Sequence, residues 1–275
     1  MAGALVVVAT PIGNLGDLSP RAVDALAGAD AIACEDTRRI RKLLTHAGVK
    51  APSLITVNDH TEARQVQAVL SRLERGERVA VVSDAGTPGI SDPGERLVAA
   101  ATAAGIDVEV VPGASAAISA LVVSGLPTGR FAFEGFLARR GSGRSERIEA
   151  LRAEQRTTIL YEAPHRVRQT VAELADALGP LRRVAIVREL TKLHEEVWRG
   201  TLGGAVDHLA ERQPRGEYVL VLGGAAPAPE PSAEDVTEAL RSRLAAGDDK
   251  KTATAEVAKA LHVPKRTVYE IATQL

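Results

Sequence analysis

The sequence predicts an α/β protein: two α/β domains in succession, closed by a small all-helical module that resembles a helix-turn-helix. Three observations predict it. Short apolar runs alternate with segments of helical period from Leu5 to Gly125, which is the pattern of a sheet with helices packed on its faces. The alternation resumes at Arg130 and continues to Leu222. It stops at residues 225–231, AAPAPEP, a Pro/Ala linker beyond which every segment reads as helix. The expected divisions are therefore residues 1–125, 126–224, 225–231 and 232–275.

Taken in order, residues 5–9 form a first strand, followed by the loop TPIGNL and a helix that starts at Ser19-Pro20, with proline in the first turn. Residues 31–34 form a second strand. Thr37 opens a helix carrying Arg38, Arg39, Arg41 and Lys42, which ends at Gly48. Residues 53–57 are the next strand, and the helix after Asn58-Asp59-His60 places Val66, Val69, Leu70 and Leu73 at helical spacing. Residues 79–82 begin VAVVSDAGTPGISDPG, a buried strand that runs into a long Gly/Pro loop. A connection of this length exceeds the usual ~4–6 residues, which favours a binding floor over a plain turn. Asp92 and Pro93 are expected to cap and start the helix over residues 95–104.

The strand over residues 107–111 then enters PGASA and an apolar helix. In the second half, strands are expected at 130–136, 157–161, 183–187 and 218–222. A flexible basic loop, LARRGSGR, spans residues 137–144. The module after Ser232 should hold helices to about Ala246, over 252–261 and over 264–274, the last two joined by a short turn.

Composition narrows the function. At 275 residues, 45% of them hydrophobic, the chain can bury real cores. Its single cysteine, Cys34, excludes an internal disulfide, and the six histidines form no H-x-x-x-H pair, so no structural metal is expected. The first apolar run is too short to span a membrane and lacks a basic leader, which predicts a cytoplasmic protein. A net charge of −1 provides no global attraction to nucleic acid, so any RNA binding has to come from local clusters, for which the candidates are Arg38, Arg39, Arg139, Arg140 and Arg144. The loop lacks both the dinucleotide fingerprint and the P-loop.

The most specific stretches are VATPIGNLGDLSPRA from Val8, EDTR from Glu35, SDAGTPGISDPG from Ser83, VPGASA from Val111, YEAPHR from Tyr161 and RELTKLHEE from Arg188. Through them the chain resembles the tetrapyrrole methylase superfamily, over nearly its whole length. Within it the resemblance is to enzymes that methylate the ribose 2′-oxygen of a cytidine in small-subunit ribosomal RNA. It implies S-adenosylmethionine (SAM) folded into a cleft between two α/β domains, a homodimer, and small ribosomal subunit RNA as partner. The contacts it implies for SAM are Pro11, Asp84, Ala85, Gly86, Gly89, Ile90, Asp92, Ser115, Ala116, Tyr161 and Glu162. The sequence departs from the family's usual pattern at FLARR, from Phe136, and at NDHTEAR, from Asn58, both on the side expected to face substrate.

Such a reaction needs an acceptor for the ribose proton and a cation beside the developing alkoxide. Candidates are Glu35, Asp36, Arg38, His60, Glu162, His165, Glu189 and Lys192. The reading developed from the two strand ends is that Glu35 or Glu162 takes the proton, that Arg38 or Arg166 steadies the oxygen, and that His165 is the reserve base. Two other readings stand beside it: a methyltransferase for a tetrapyrrole, and a non-enzymatic nucleic-acid-binding regulator working through the terminal helices.

Overall fold

A computed structural model describes residues 3–58, 61–226 and 231–275. The first sheet holds β1 (Ala4–Val8), β2 (Ala31–Cys34), β3 (Ser53–Thr56), β4 (Arg78–Val82) and β5 (Asp107–Val111) in the order β3-β2-β4-β1-β5. All its pairings are parallel. Parallel strands covered on both faces must be apolar throughout, which is why β1 and β4 read as unbroken valine-rich runs. Val6, Val8, Ile32, Ala80 and Val82 face α1 (Pro20–Ala27) and α2 (Thr37–His46) through Leu26, Ile40, Leu43 and Leu44. Leu5, Ala31, Val79 and Val81 face α3 (Glu62–Glu74) and α4 (Glu95–Ala103) through Val69, Leu73, Leu97 and Ala101. The neighbouring strands β1 and β4 thus send their chains to opposite faces. That arrangement opens a crevice beyond their carboxyl ends.

One local expectation is corrected. Asp92 does not cap α4; the cap position is Gly94, at φ +131°, with no side-chain acceptor of its own. The buried Glu62 of α3 supplies the acceptor instead, its Oε1 taking the N–H groups of Gly94 (3.0 Å), Arg96 (3.1 Å) and Leu97 (3.4 Å). A carboxylate at a helix start also meets the positive end of the helix dipole. Sequence neighbours pointed to Asp92, but the folded chain brings a residue thirty positions upstream to the same amides.

The second sheet contains β6 (Phe131–Phe136), β7 (Thr157–Glu162), β8 (Arg183–Arg188), β9 (Glu196–Thr201) and β10 (Tyr218–Leu222) in the order β6-β7-β10-β8-β9. Only β6 and β7 run parallel; the others pair antiparallel. The edge strand β9 and the helix that follows it were not expected from the sequence. One face carries α6 (Ser142–Arg152), α7 (Val167–Leu178) and α8 (Leu202–Ala210) over a core that includes Leu160, Val171, Leu174, Ile186, Leu202 and Leu220. The other face receives α5 (Ala116–Ser124), whose Ala117, Ala120 and Leu121 pack on Ile159, Ala185, Val187, Val219 and Val221. The last helix of the first half therefore packs on the sheet of the second, and the chain up to Ala225 is one compact unit.

From Ala226 the chain forms a second unit. Ser232 and Asp235 close a reciprocal capping box at the start of α9 (Ala233–Ala245). With α10 (Lys250–Ala260) and α11 (Lys265–Ala272), α9 shares a separate core of Val236, Leu240, Ala253, Val257, Val268 and Ala272. Residues 227–230 of the expected linker lie outside the described residues. Among the described residues no helix is long and apolar enough to cross a membrane, and no cluster of histidine, cysteine and carboxylate side chains could hold a metal ion.

Candidate active site

The site is built on the turn that leaves β4. Gly86 and Gly89 adopt φ of +82° and +81°, the left-handed region that glycine enters at least cost. Gly86 exchanges both backbone hydrogen bonds with Thr10, at 2.9 and 3.1 Å, locking the β4 loop to the β1 loop. Gly89 turns the loop back by donating its N–H to the Pro93 carbonyl (3.1 Å). Between this floor and the second sheet lies a cleft of about 310 Å³. Ile12, Ala85, Gly86, Ile90, Asp92, Ser115 and Ala116 line it from the first half; Phe136, Tyr161, Glu162, Pro164, Glu217 and Val219 line it from the second.

Its aromatic wall is held in place by edge-on contacts. The Tyr161 ring lies 5.1 Å from Phe133 and 5.6 Å from Phe136, centroid to centroid. The Tyr161 hydroxyl accepts the Ala117 N–H (3.1 Å), a free donor in the first turn of α5. Burial pushes the phenol's pKa above its ordinary value, so it stays protonated. Ser115 holds the N-cap position of α5 without a side-chain capping bond, so its hydroxyl is not committed to the helix.

Eight of the residues expected at the cofactor, namely Ala85, Gly86, Ile90, Asp92, Ser115, Ala116, Tyr161 and Glu162, line this one cleft. Three do not. Gly89 shapes the loop behind it, whereas Pro11 and Asp84 line a neighbouring pocket of about 290 Å³ formed with Thr10, Cys34, Arg39 and Leu43. Asp84 accepts the Asp36 N–H (3.1 Å) and pairs with Arg39 (3.2 Å). Phe136, Glu217 and Val219 were missed. Glu217 precedes a strand with no local sequence signal; its carboxylate is held by Lys192 Nζ (2.9 Å), which also holds Glu189 (2.9 Å). That loop is tightly made: Glu189 and Thr191 are left-handed, and a side chain at Gly216 would collide with the Glu189 carboxylate.

The expected catalytic groups separate. Glu35 and Arg38 line a third, open pocket of about 520 Å³ with Asp36, Thr37, Thr56, Asn58 and Asp84, which shares no lining residue with the cleft. Asp36 caps α2 and chelates Arg38, at 3.1 and 2.7 Å; hydrogen bonds from Arg38 hold its carboxyl down at about 2. Glu162 does line the cleft, but its oxygens are occupied. Oε1 accepts the Ala163 N–H (2.8 Å) and lies 3.3 Å from Arg166 Nε, while Oε2 accepts the Thr170 hydroxyl (2.5 Å). Glu35 and Glu162 therefore do not converge on one cleft, as expected from their strand ends. His165 is exposed and lines none of these pockets, and His60 lies outside the described residues.

The arginines expected to meet RNA also divide. Arg139 and Arg140 are exposed between β6 and α6, and Arg38 and Arg39 reach solvent on α2. Arg144 is corrected: only 6% exposed, it donates to Glu173, to the Ala138 carbonyl (3.0 Å) and to the Thr170 hydroxyl (2.9 Å). Residues 142–144 of the expected loop are in fact the first turn of α6, and Arg144, the third residue of that helix, turns inward.

Comparison with known proteins agrees with this architecture. The family Tetrapyrrole (Corrin/Porphyrin) Methylases matches residues 4–206. The chain is 47% identical over 275 residues to a ribosomal RNA small subunit methyltransferase I of Synechocystis sp., covering 99% of this chain and 98% of that protein. A protein of the same name from Thermotoga maritima is 43% identical over 222 residues, which is 81% of this chain and 99% of its own length. A uroporphyrin-III C-methyl transferase from Thermus thermophilus, solved in complex with S-adenyl homocysteine, superimposes with a TM-score of 0.55 at 22% identity, covering 80% of this chain and 96% of that one. With a family match across most of its length and relatives this similar over nearly all of it, the chain belongs to the tetrapyrrole methylase family.

Proposed function

We propose that this protein is a SAM-dependent methyltransferase that places a methyl group on the ribose 2′-oxygen of a cytidine in small-subunit ribosomal RNA. The observation that carries the reading is the glycine-floored cleft in a chain 47% identical, end to end, to a protein named for that RNA. SAM, when bound, supplies a methyl carbon that an oxygen nucleophile can displace in line from a sulfonium.

The residues present suit such a donor. Ala85, Ile90, Ala116 and Val219 give an apolar floor, the Tyr161 and Phe136 rings give a wall, and the Gly86 backbone lies open to close approach. Ser115 and Glu217 add a hydroxyl and a carboxylate for polar groups. This chain's own task is then to orient the ribose hydroxyl and take its proton. The carboxylates proposed to take it are Glu35, which ends β2 in the open pocket, and Glu162, which stands on the cleft wall with both oxygens already accepting hydrogen bonds. Arg139 and Arg140 hold phosphates. The enzyme works in the cytoplasm, and as a homodimer; the exposed apolar side chains Val110, Ile118 and Val122 on β5 and α5 support the association.

The test is transfer of labelled methyl from SAM to unmethylated small subunits, followed by nucleoside analysis. A 2′-O-methylcytidine product is expected. Transfer to a porphyrinoid with none to RNA would overturn the assignment.

A further inference from the structure

Arg144, buried, and Arg166, partly buried, are cations that the proposed chemistry does not use, and both reach the same stretch of backbone. Arg166 Nη2 donates to the carbonyls of Leu137 (2.8 Å) and Ala138 (3.3 Å), and Arg144 Nη1 donates to Ala138 (3.0 Å). These carbonyls sit immediately before Arg139 and Arg140. They also follow Phe136, which lines the cleft.

The opposite ends of both guanidinium groups lead to Glu162. Arg166 Nε lies 3.3 Å from its Oε1. Arg144 Nη2 donates to the Thr170 hydroxyl (2.9 Å), which donates onward to Oε2 (2.5 Å). Glu173 balances Arg144 through Nε (2.7 Å), and Gln169 steadies Glu173 (2.7 Å). Two arginines and two glutamates thus form a neutral cluster with its hydrogen bonds made, the condition under which buried charge is tolerable.

We infer that Arg144 and Arg166 are positioning residues: they clamp the Arg139–Arg140 loop to Glu162, so that one network fixes the RNA-holding loop relative to the wall of the cofactor cleft. The inference rests on the proposed function for what the loop holds, and on the structure alone for the clamp. A free loop would carry two mobile cations, and ordering them on each encounter with RNA would cost conformational entropy. The clamp sets that order beforehand.

The test uses the full-length protein with Arg144→Met, Arg144→Lys and Thr170→Val, the last keeping volume while breaking the Arg144–Glu162 link. Two readouts are taken. Trypsin cleavage after Arg139 or Arg140 reports the loop without reference to activity. It should speed up in Arg144→Met and Thr170→Val and return towards wild type in Arg144→Lys. Methyl transfer to small subunits should show KM for RNA raised about tenfold, within the coupling expected inside one hydrogen-bond network, with SAM affinity within about twofold.

If Arg144→Met fails to fold, Thr170→Val and Arg144→Lys still decide the matter. Unchanged cleavage and unchanged KM in Thr170→Val would overturn the clamp, as would parallel losses of SAM affinity, KM and Tm, which mark general destabilisation. A wild-type protein that methylates no RNA would sink the proposed function while leaving the cleavage result standing.

Discussion

Gly86 offers the sharpest test of the cleft, because the structure separates what a side chain there does to the fold from what it does to a ligand. An added Cβ would meet Ile12 Cγ2 at 3.4 Å and the Ala114 carbonyl at 3.8 Å, both ordinary contacts. Alanine at 86 therefore costs the protein only backbone strain, about 1–2 kcal/mol for an L-residue held left-handed. Gly48 is the matched control: its φ is +68°, nothing lies within 4 Å of an added Cβ, and it ends α2 away from the cleft. For a unit of this size each kcal/mol lowers Tm by roughly 2–4 °C. Gly48→Ala and Gly86→Ala should therefore fall by a similar ~2–8 °C, and Gly86→Val by more, since a β-branched residue tolerates positive φ least.

SAM affinity should divide the variants instead of ranking with Tm. Gly48→Ala should bind as wild type, while Gly86→Val should lose at least tenfold, about 1.4 kcal/mol, because its methyls stand on the floor of the cleft. Titration calorimetry below every Tm, paired with thermal melts, measures both quantities. A folded Gly86→Val protein with wild-type affinity would refute the placement of the cofactor. Equal losses at 48 and 86 would show that affinity merely follows stability.

Other outcomes follow from the same structure. The double variant Arg139→Ala/Arg140→Ala should lower the slope of log K against log salt for RNA by about 1.5, with SAM binding unchanged; an unaltered slope would make the pair a solvated surface. Burial, with the Asp84 and Asp36 carboxylates as smaller causes, pushes the Cys34 thiol up from 9.0 to about 11. A thiol reagent should thus react slowly at pH 8 and faster only as pH approaches 11. Because the unfolded thiol ionises first, the stability linked to this group is intact below pH 9.0 and declines as pH rises towards 11. Rapid stoichiometric labelling of the native protein at pH 8 would contradict its buried position. A chain ending at Ala226 should keep the cooperative melt of the first unit, since the helices beyond it have their own core. It should bind SAM normally but capture small subunits more weakly; equal turnover on small subunits would deny the terminal helices a docking role.

Much of this protein was legible in its sequence, for local reasons. Short valine-rich runs bounded by turn residues, such as residues 79–82, read as buried strands, and Gly86 and Gly89 mark a loop whose backbone a ligand can approach, so the alternation of elements and the floor of the cleft follow from nearest neighbours along the chain. The terminal helices were legible for the same reason, from periodicity beyond the Pro/Ala linker. What only the tertiary structure decided depends on residues far apart in sequence. Glu62 replaces Asp92 as the cap of α4 because α3 lies beside it, and Glu217 enters the cleft because β10 is inserted between β7 and β8. Arg144 and Arg139, five positions apart in one basic run, part company because the first turn of α6 directs one side chain inward to Glu173 and leaves the other in water. Glu35 and Glu162 likewise both end strands, yet those strands belong to different sheets and open onto different pockets. Charge in a sequence marks only that an ion is present; whether it faces solvent, a partner or a ligand is set by packing, because the cost of burying it depends on what the rest of the fold brings alongside.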